Sequence, residues 1–469
     1  MAYETENIWQ NISPEEEKEI QDFAKDYAEF MDENRTEREF IRSTVEKLQQ
    51  EGFVDLAEVN NLEEGSKVYT TNQEGALLAA IIGQEPLSQG LNLVGAHVDA
   101  PRIDLKPRPL FAEKELGFFT THYYGGIRKY QWVTLPLALH GVVVKEDGSK
   151  INIAVGMEAE DPVFYITDLL PHFAAEQREK KLKEAIKAEQ LNVLVGSRPA
   201  DDDEETEENN SDEDKDLASV KKALLQLIEE RHGITEEDLI SAELQLVPAQ
   251  KSRDVGLDNT LIGSYAHDDR ICSYTALRAL TSMETGSKTA AIILVDREEV
   301  GSMGTTGMQS RFFENVLARL IAKSSSDYND LMLREALENS TALSGDVTAG
   351  FDPDFAEIAS KNNTPYLNHG INMTPYTGAR GKGGASEASA EFRSKIRRIW
   401  NNNGVAWQAT EMGEVDKGGG GTIAKFLANY NISVLDCGPA VLSMHSPFEI
   451  ASKADLYHTY LAYKSYLEN

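Results

Sequence analysis

Apolar positions along the chain follow two rhythms, and the change between them marks its organisation. Ile20, Phe23, Tyr27 and Phe30 recur at helical spacing, as do Phe40, Ile41, Val45 and Leu48. Ser13-Pro14 with Glu16, and Thr36 with Glu39, are capping signals ahead of those runs, and Gly52 is a stop signal. Two N-terminal helices are predicted. The runs "ALLAAIIG" (76–83) and "LNLVGAHVDA" (91–100) are short and almost wholly apolar, as buried strands are. Past Asp104 the texture becomes β-branched and aromatic, as in "FFTTHYYGGIRKYQWVTLPLALHGVVVKEDGSKINIAVG", with hairpin punctuation at Asp147-Gly148. From about Ile262 an α/β rhythm returns. It predicts a helix in "RICSYTALRALTSM", the strand "TAAIILVD", helices in "SEASAEFRSKIRRIWNNN" and "GTIAKFLANY", the strand "ISVLDCG" and a last helix in "KADLYHTYLAYKSYLE". No internal repeat is evident. The simplest organisation is one α/β domain, 1–104 and 250–469, split by a β-rich insertion at 105–249.

Composition narrows the class. At 469 residues and 41% apolar, the chain has enough material for two domains and a sizeable core. No apolar run reaches the roughly 18 residues that span a bilayer. The start "MAYETENIWQNISPEEEKEI" lacks the pattern of a signal peptide. Cys272 and Cys437 are the two cysteines, with no CxxC. A cytoplasmic enzyme is expected. Net charge is −32, which repels nucleic acid and anionic membranes and draws divalent cations, so neither nucleic acid nor membrane is expected as a partner. The stretch "DDDEETEENNSDEDKD" (201–216) has no apolar residue and is expected to be a solvated loop.

Four stretches put chemistry where a strand hands over to a loop, the place where open α/β sheets bind ligands. "LVGAHVDAPR" carries His97 and Asp99, "GSYAHDDRICS" carries His267, Asp268 and Asp269, "ILVDREEVGS" carries Glu298 and Glu299, and "VLSMHSPFE" carries His445. Each alone is equally a cap or a solvated turn; their co-occurrence carries the argument. Two divalent ions roughly 3.5–4 Å apart need a shared carboxylate, and each needs further imidazole or carboxylate donors. An H-x-D spacing lets Asp99 orient a ligating His97. Adjacent glutamates let one side chain bind metal while the other stays available as a base.

"GAHVDAPR", "AHDDR", "DREEVGS", "SGD" and "MHSPFE", in this order, resemble the M18 metalloaminopeptidases, the aspartyl aminopeptidase family. The likeness extends over nearly the whole chain. It implies a zinc-peptidase-type α/β sandwich catalytic domain with an inserted β-rich dimerisation domain, and a tetrahedral dodecamer built from dimers. It implies two divalent ions per subunit, zinc first, with cobalt or manganese as other fits. His97 and Asp346 would bind one ion, Glu299 and His445 the other, and Asp268 both. Glu298 would be the general base and Asp99 the partner of His97. The implied reaction is hydrolysis of the first residue from peptide substrates. His172 resembles a family histidine that reaches an active site from the dimerisation domain.

The chain departs from acid-preferring members at several points. Thr374 stands where those members carry a basic side chain, with Arg380 and Lys382 as the nearby substitutes for binding substrate. Ala349 replaces a histidine, and the Gly418–Gly421 run is richer in glycine. A neutral or broader first-residue preference is therefore open. His122, His140, His232, His369 and His458 lack ligand spacing and are expected to be structural. Two other functions stay open at this stage: a dinuclear N-acyl-amino-acid deacylase or carboxypeptidase, and a non-catalytic shell-forming assembly protein.

Overall fold

The computed structural model describes residues 5–200 and 212–469, with side chains of the helix Asp212–His232 described from Ser219 onward. Residues 201–211 of the acidic stretch lie outside the described residues. Residues 212–216, expected as loop, begin that helix instead, because they lead directly into the apolar spacing of Val220, Leu224 and Leu227.

The chain divides into two compact units, 1–100 with 252–444 and 448–469, and 101–251 with 445–447. The first is organised by a nine-stranded sheet. Its middle four strands are Thr289–Val295, Leu91–His97, Thr341–Gly345 and Ser433–Gly438, neighbours in that order and all parallel. Every residue of Leu91–His97 and Thr289–Val295 is buried, which explains why both read as unbroken apolar runs rather than alternating ones. Antiparallel strands Ala76–Ile81 and Ile371–Thr374 flank the four. A second, five-stranded sheet pairs Leu261–Ser264 with Glu449–Ser452.

The N-terminal helices form as their caps require. Ser13 Oγ accepts from Glu16 N in the helix Pro14–Glu33, and Thr36 and Glu39 complete a reciprocal box in Glu37–Gln50. Their buried stripes are Ile20, Phe23, Ala24, Tyr27, Phe30 and Met31, and Glu37, Phe40, Ile41, Thr44 and Leu48. The predicted last helix spans Lys453–Leu467. Two further helices, Phe312–Ser324 and Asp330–Asn339, were not among the sequence expectations. Among the described residues no helix is long and apolar enough to cross a membrane.

The second unit is a seven-stranded antiparallel sheet in which Ala242–Pro248 pairs with both Arg102–Glu113 and Pro136–Val144, so six strands close into a ring. Closure removes the exposed edges that invite unwanted pairing. The expected hairpin joins Pro136–Val144 to Lys150–Val155. Asp147 Oδ1 accepts from Ser149 N at 2.9 Å, and Gly148 takes the turn at φ +82°.

His458 is one structural histidine of the first unit. Its Nδ1 accepts Ala406 N–H at 3.1 Å, so the ring is held neutral, and burial lowers its pKa to about 4. Glu16 is 3.9 Å from Nε2 and 40% exposed, too remote to hold a proton there. The unfolded chain protonates this histidine near its ordinary value of about 6.5. Its contribution to stability is therefore present above that pH and lost as pH falls toward about 4. Denaturant unfolding at pH 7 and pH 5 should show a loss about 2 kcal/mol smaller in His458→Gln than in the unaltered chain. Equal losses would contradict this role.

Candidate metal centre

Four parallel strands end at one edge of the sheet, and the residues just past those ends build the site. His97 closes Leu91–His97, Glu298 and Glu299 follow Thr289–Val295, and Asp346 follows Thr341–Gly345. The fourth strand, Ser433–Gly438, contributes closeness. Its Cys437 O accepts from Asp346 N at 3.4 Å, and a Cβ on Gly438 would collide with the Asp346 carbonyl. Only glycine fits there.

The turn into Glu298 depends on left-handed backbone at Arg297 (φ +67°) and Gly301 (φ +96°). Asp296 Oδ1 accepts from Arg297 N at 2.7 Å, and its Oδ2 accepts from Thr306 at 3.0 Å. The turn aims two successive N–H groups at one acid. Glu298 N donates to Asp99 Oδ1 at 3.1 Å, and Glu299 N to Asp99 Oδ2 at 3.2 Å. Asp99 Oδ1 also lies 3.3 Å from His97 Nδ1, which itself reaches Asp99 O at 3.0 Å. One buried aspartate thus ties the imidazole to the glutamate turn.

The helix His267–Thr281 clamps the other side. Its first residues are not helical: Ala266 is left-handed, Asp268 and Asp269 have extended and irregular backbone, and the Asp268–Asp269 peptide is cis. Asp269 Oδ2 accepts His97 N–H at 3.3 Å, Ser273 Oγ donates to His97 O at 2.7 Å, and Arg270 Nε donates to Val98 O at 2.8 Å. Asp268 is left facing the imidazole, Oδ1 to Nε2 3.3 Å, while its N donates to buried Glu449 at 3.0 Å. His267 is committed elsewhere. Nδ1 meets the Tyr27 hydroxyl at 2.7 Å, Nε2 lies 3.2 Å from Ile262 O, and burial lowers its pKa to about 4.

Electrostatics set the character of the centre. Burial alone pulls His97 down, but hydrogen bonds to Asp268 and Asp99 carry it well above the ordinary histidine value. Burial pushes Asp269 up to about 8, with His97 and Cys272 opposing and Asp268 adding to the rise. Asp346 is raised well up by burial and then by Asp269 and Asp268. Glu298 is raised by burial, against His97 and with Asp99 and Asp268. So many acids around one imidazole call for a cation. His97, Asp268 and Glu299 each offer one donor atom, all within 4.8 Å of one another. An imidazole with carboxylate oxygens is a donor set that suits zinc and similar divalent ions. The residues present fit a divalent metal.

The remaining expected residues lie as follows. His445 belongs to the segment 445–447 that groups with the second unit, where its Nδ1 lies 3.0 Å from Gly126 O. His172 is exposed on that unit, in the turn Pro171–Phe173. Arg380 and Lys382 are exposed beside a cavity of about 210 Å³ in the first unit. Lys382 pairs with Glu387 at 2.8 Å and covers the Tyr376 ring at 3.9 Å. Thr374 is buried with its hydroxyl 3.4 Å from Thr410, and Ala349 is exposed. From sequence, Asp269 is expected only as a supporting neighbour of the bridging Asp268; its bond to His97 N–H bears out a supporting place, though the partner was not foreseen, and Glu449 was given no role. Glu449 stands inside "MHSPFE", which was the available signal.

Comparison with known proteins places this arrangement. The profile of a family described as "Aminopeptidase I zinc metalloprotease (M18)" matches residues 30–467. A probable M18 family aminopeptidase 1 of Clostridium acetobutylicum is 45% identical over 470 residues, covering 99% of this chain and 98% of that protein. The crystal structure of an M18 family aminopeptidase from Thermotoga maritima superposes with a TM-score of 0.93 at 43% identity, covering all of both chains. The mApe1 dodecamer of S. cerevisiae shares the fold at a TM-score of 0.75 and 24% identity, covering 96% of this chain and 97% of that one.

Stripping divalent metal with a chelator should lower the thermal midpoint of the protein by several degrees, because a ligand bound to the native state stabilises it. Adding zinc should restore the midpoint. A midpoint that ignores both treatments would contradict a metal role for these carboxylates.

Proposed function

The chain belongs to the M18 family of zinc aminopeptidases, and from that membership we propose that its metal centre is dinuclear and releases the first residue of peptides with Glu298 as proton carrier. Membership makes it a metalloaminopeptidase, a hydrolase of peptide bonds. The observation that carries the finer reading is the convergence of His97, Asp268 and Glu299 within 4.8 Å beside Glu298 at the parallel strand ends.

In this reading His97 and Asp346 hold one ion, Glu299 and His445 the other, and Asp268 is shared. Bound zinc supplies Lewis acidity toward the scissile carbonyl and the attacking water. Glu298 is half-buried and its carboxyl is raised by burial, which suits a group that must take a proton and give it back. It accepts the proton of the attacking water and delivers it to the departing amide nitrogen. Asp99 holds the Glu298 and Glu299 main chain and the His97 ring in one geometry, and Asp269 holds the His97 main chain. Neither Asp99 nor Asp269 need touch substrate.

A neutral or broad first-residue preference fits Thr374, which is buried and offers no charge, and Lys382, which is already paired. Arg380 and Lys382 then serve the substrate only at the rim. The second unit is assigned to dimerisation, with His172 reaching toward a neighbouring subunit's site, and the dodecamer of the yeast relative supports a homo-oligomer. Two buried free cysteines suit the cytoplasm.

Glu298→Gln should lower kcat by at least about 100-fold while zinc content by elemental analysis stays unchanged. Near-normal turnover would remove Glu298 from its role. Peptides with a free N-terminus should be cleaved and their N-acylated counterparts left intact; the reverse would favour the deacylase reading.

A further inference from the structure

The first unit holds an open cavity of about 830 Å³, and none of the residues gathered about His97 lines it. That volume falls in the range of small-molecule sites, roughly 300–1,000 Å³. One wall is the N-terminal segment 5–12, which is pinned in place. Ile8 N donates to Asn368 O at 2.9 Å, Trp9 Nε1 donates to Asn368 Oδ1 at 3.0 Å, and Thr5 Oγ1 lies 2.9 Å from His369 Nδ1. The other wall is the helix Ala390–Asn402 with Trp407–Ala409, the last strand of the nine-stranded sheet. Phe392, Ile396, Ile399 and Trp400 bury one stripe of that helix, which turns Arg397 and Asn401 outward.

His458, between these walls, carries a donor with nothing to donate to. It is 3% exposed, and because its Nδ1 accepts Ala406 N–H at 3.1 Å, the neutral ring has its hydrogen on Nε2. That buried Nε2–H has no acceptor, an arrangement that is rare because it is costly. Glu16 lies on the same side and lines the cavity too, but at 3.9 Å it is beyond hydrogen-bond reach. Glu16 itself has no cation, since His458 is neutral and no lysine or arginine among the described residues pairs with it. Arg397 is equally alone: it is exposed and makes no ion pair or hydrogen bond among the described residues. One turn on, Asn401 gives its Oδ1 to Trp407 Nε1 at 2.8 Å and keeps its amide hydrogens for an acceptor. Ile8, Ile12, Val405 and Trp407 supply apolar lining. Charges of both signs share one cavity without meeting, and a ligand that carries both would satisfy them.

We propose that this cavity is a second binding site, separate from the metal centre, for an amino-acid zwitterion with an apolar side chain. The α-ammonium lies against Glu16. The oxygen next to it accepts from His458 Nε2–H, because an ammonium and its neighbouring oxygen match a carboxylate and a donor set 3.9 Å apart. Arg397 and Asn401 take the carboxylate. The zwitterion has two sources, a free amino acid or an intact short peptide.

Calorimetry on the zinc-loaded protein compares leucine with leucinamide and N-acetyl-leucine, each of which lacks one of the two charges. Leu-Leu is presented to Glu298→Gln protein, so that it is not consumed. Both hosts are also prepared with Arg397→Gln and with Glu16→Gln. Leucine, Leu-Leu or both should bind with a dissociation constant below about 1 mM, at a site that each variant weakens at least about 10-fold. The kcat and KM for an aminoacyl reporter substrate should stay the same in both variants, which separates this site from ligand held at the metal. Leucinamide and N-acetyl-leucine should each bind there at least about 10-fold less tightly than leucine. The ligand that binds identifies the source. Binding of leucine and Leu-Leu that is absent, or unchanged in both variants, would overturn the proposal and leave the peptidase reading standing. Equal affinity of that site for leucine and its two analogues would overturn it as well. If no peptide is cleaved at all, the peptidase reading fails, and the leucine ratios alone uphold or overturn the second site.

Discussion

A buried imbalance of charge governs this molecule. Asp268, Asp269, Glu298, Glu299 and Asp346 gather about the single imidazole of His97, at strand ends that are otherwise apolar. Water could have stabilised these carboxylates, but the fold withdraws them from it in whole or in part, and the raised pKa values of Asp269, Glu298 and Asp346 report the cost. Protons can neutralise such a group, and so can a divalent cation. The donor geometry favours the cation, since three donor atoms already lie within 4.8 Å. Metal uptake would then release protons, which ties occupancy to pH.

The surrounding structure is arranged to keep those acids from relaxing apart. Parallel pairing fixes Val295 opposite His97 and Ser344 opposite Gly95, so the strand ends stay level. Glycine at 438 brings the fourth strand against Asp346. Asp99 uses both carboxylate oxygens on the glutamate turn and turns the imidazole as well. The N-terminal helices take part through Tyr27, which holds His267, and through Asn34, whose carbonyl accepts from Arg270 at 2.9 Å. Positioning of this kind is what preorganised metal sites require of their outer contacts.

Local physics was legible in the sequence and distant contact was not. The boxes at Ser13 and Thr36 are readable because cap and partner lie three residues apart, and the structure has both. The His97 and Glu298 strands are readable because full burial leaves them without polar positions. Asp269 is different. Its bond to His97 N spans 172 residues, and nothing near "AHDD" announces it. The acidic stretch misled at 212–216, where charge concealed the start of a helix.

The central claim is that these acids exist to cage a pair of ions with Asp268 common to both. Anomalous diffraction at the zinc edge on crystals of metal-loaded protein tests it most directly. The account predicts two peaks roughly 3.5–4 Å apart, both in contact with Asp268. The first would touch His97 and the second Glu299. Absence of any peak at His97, or a single ion that leaves Asp268 untouched, would contradict it.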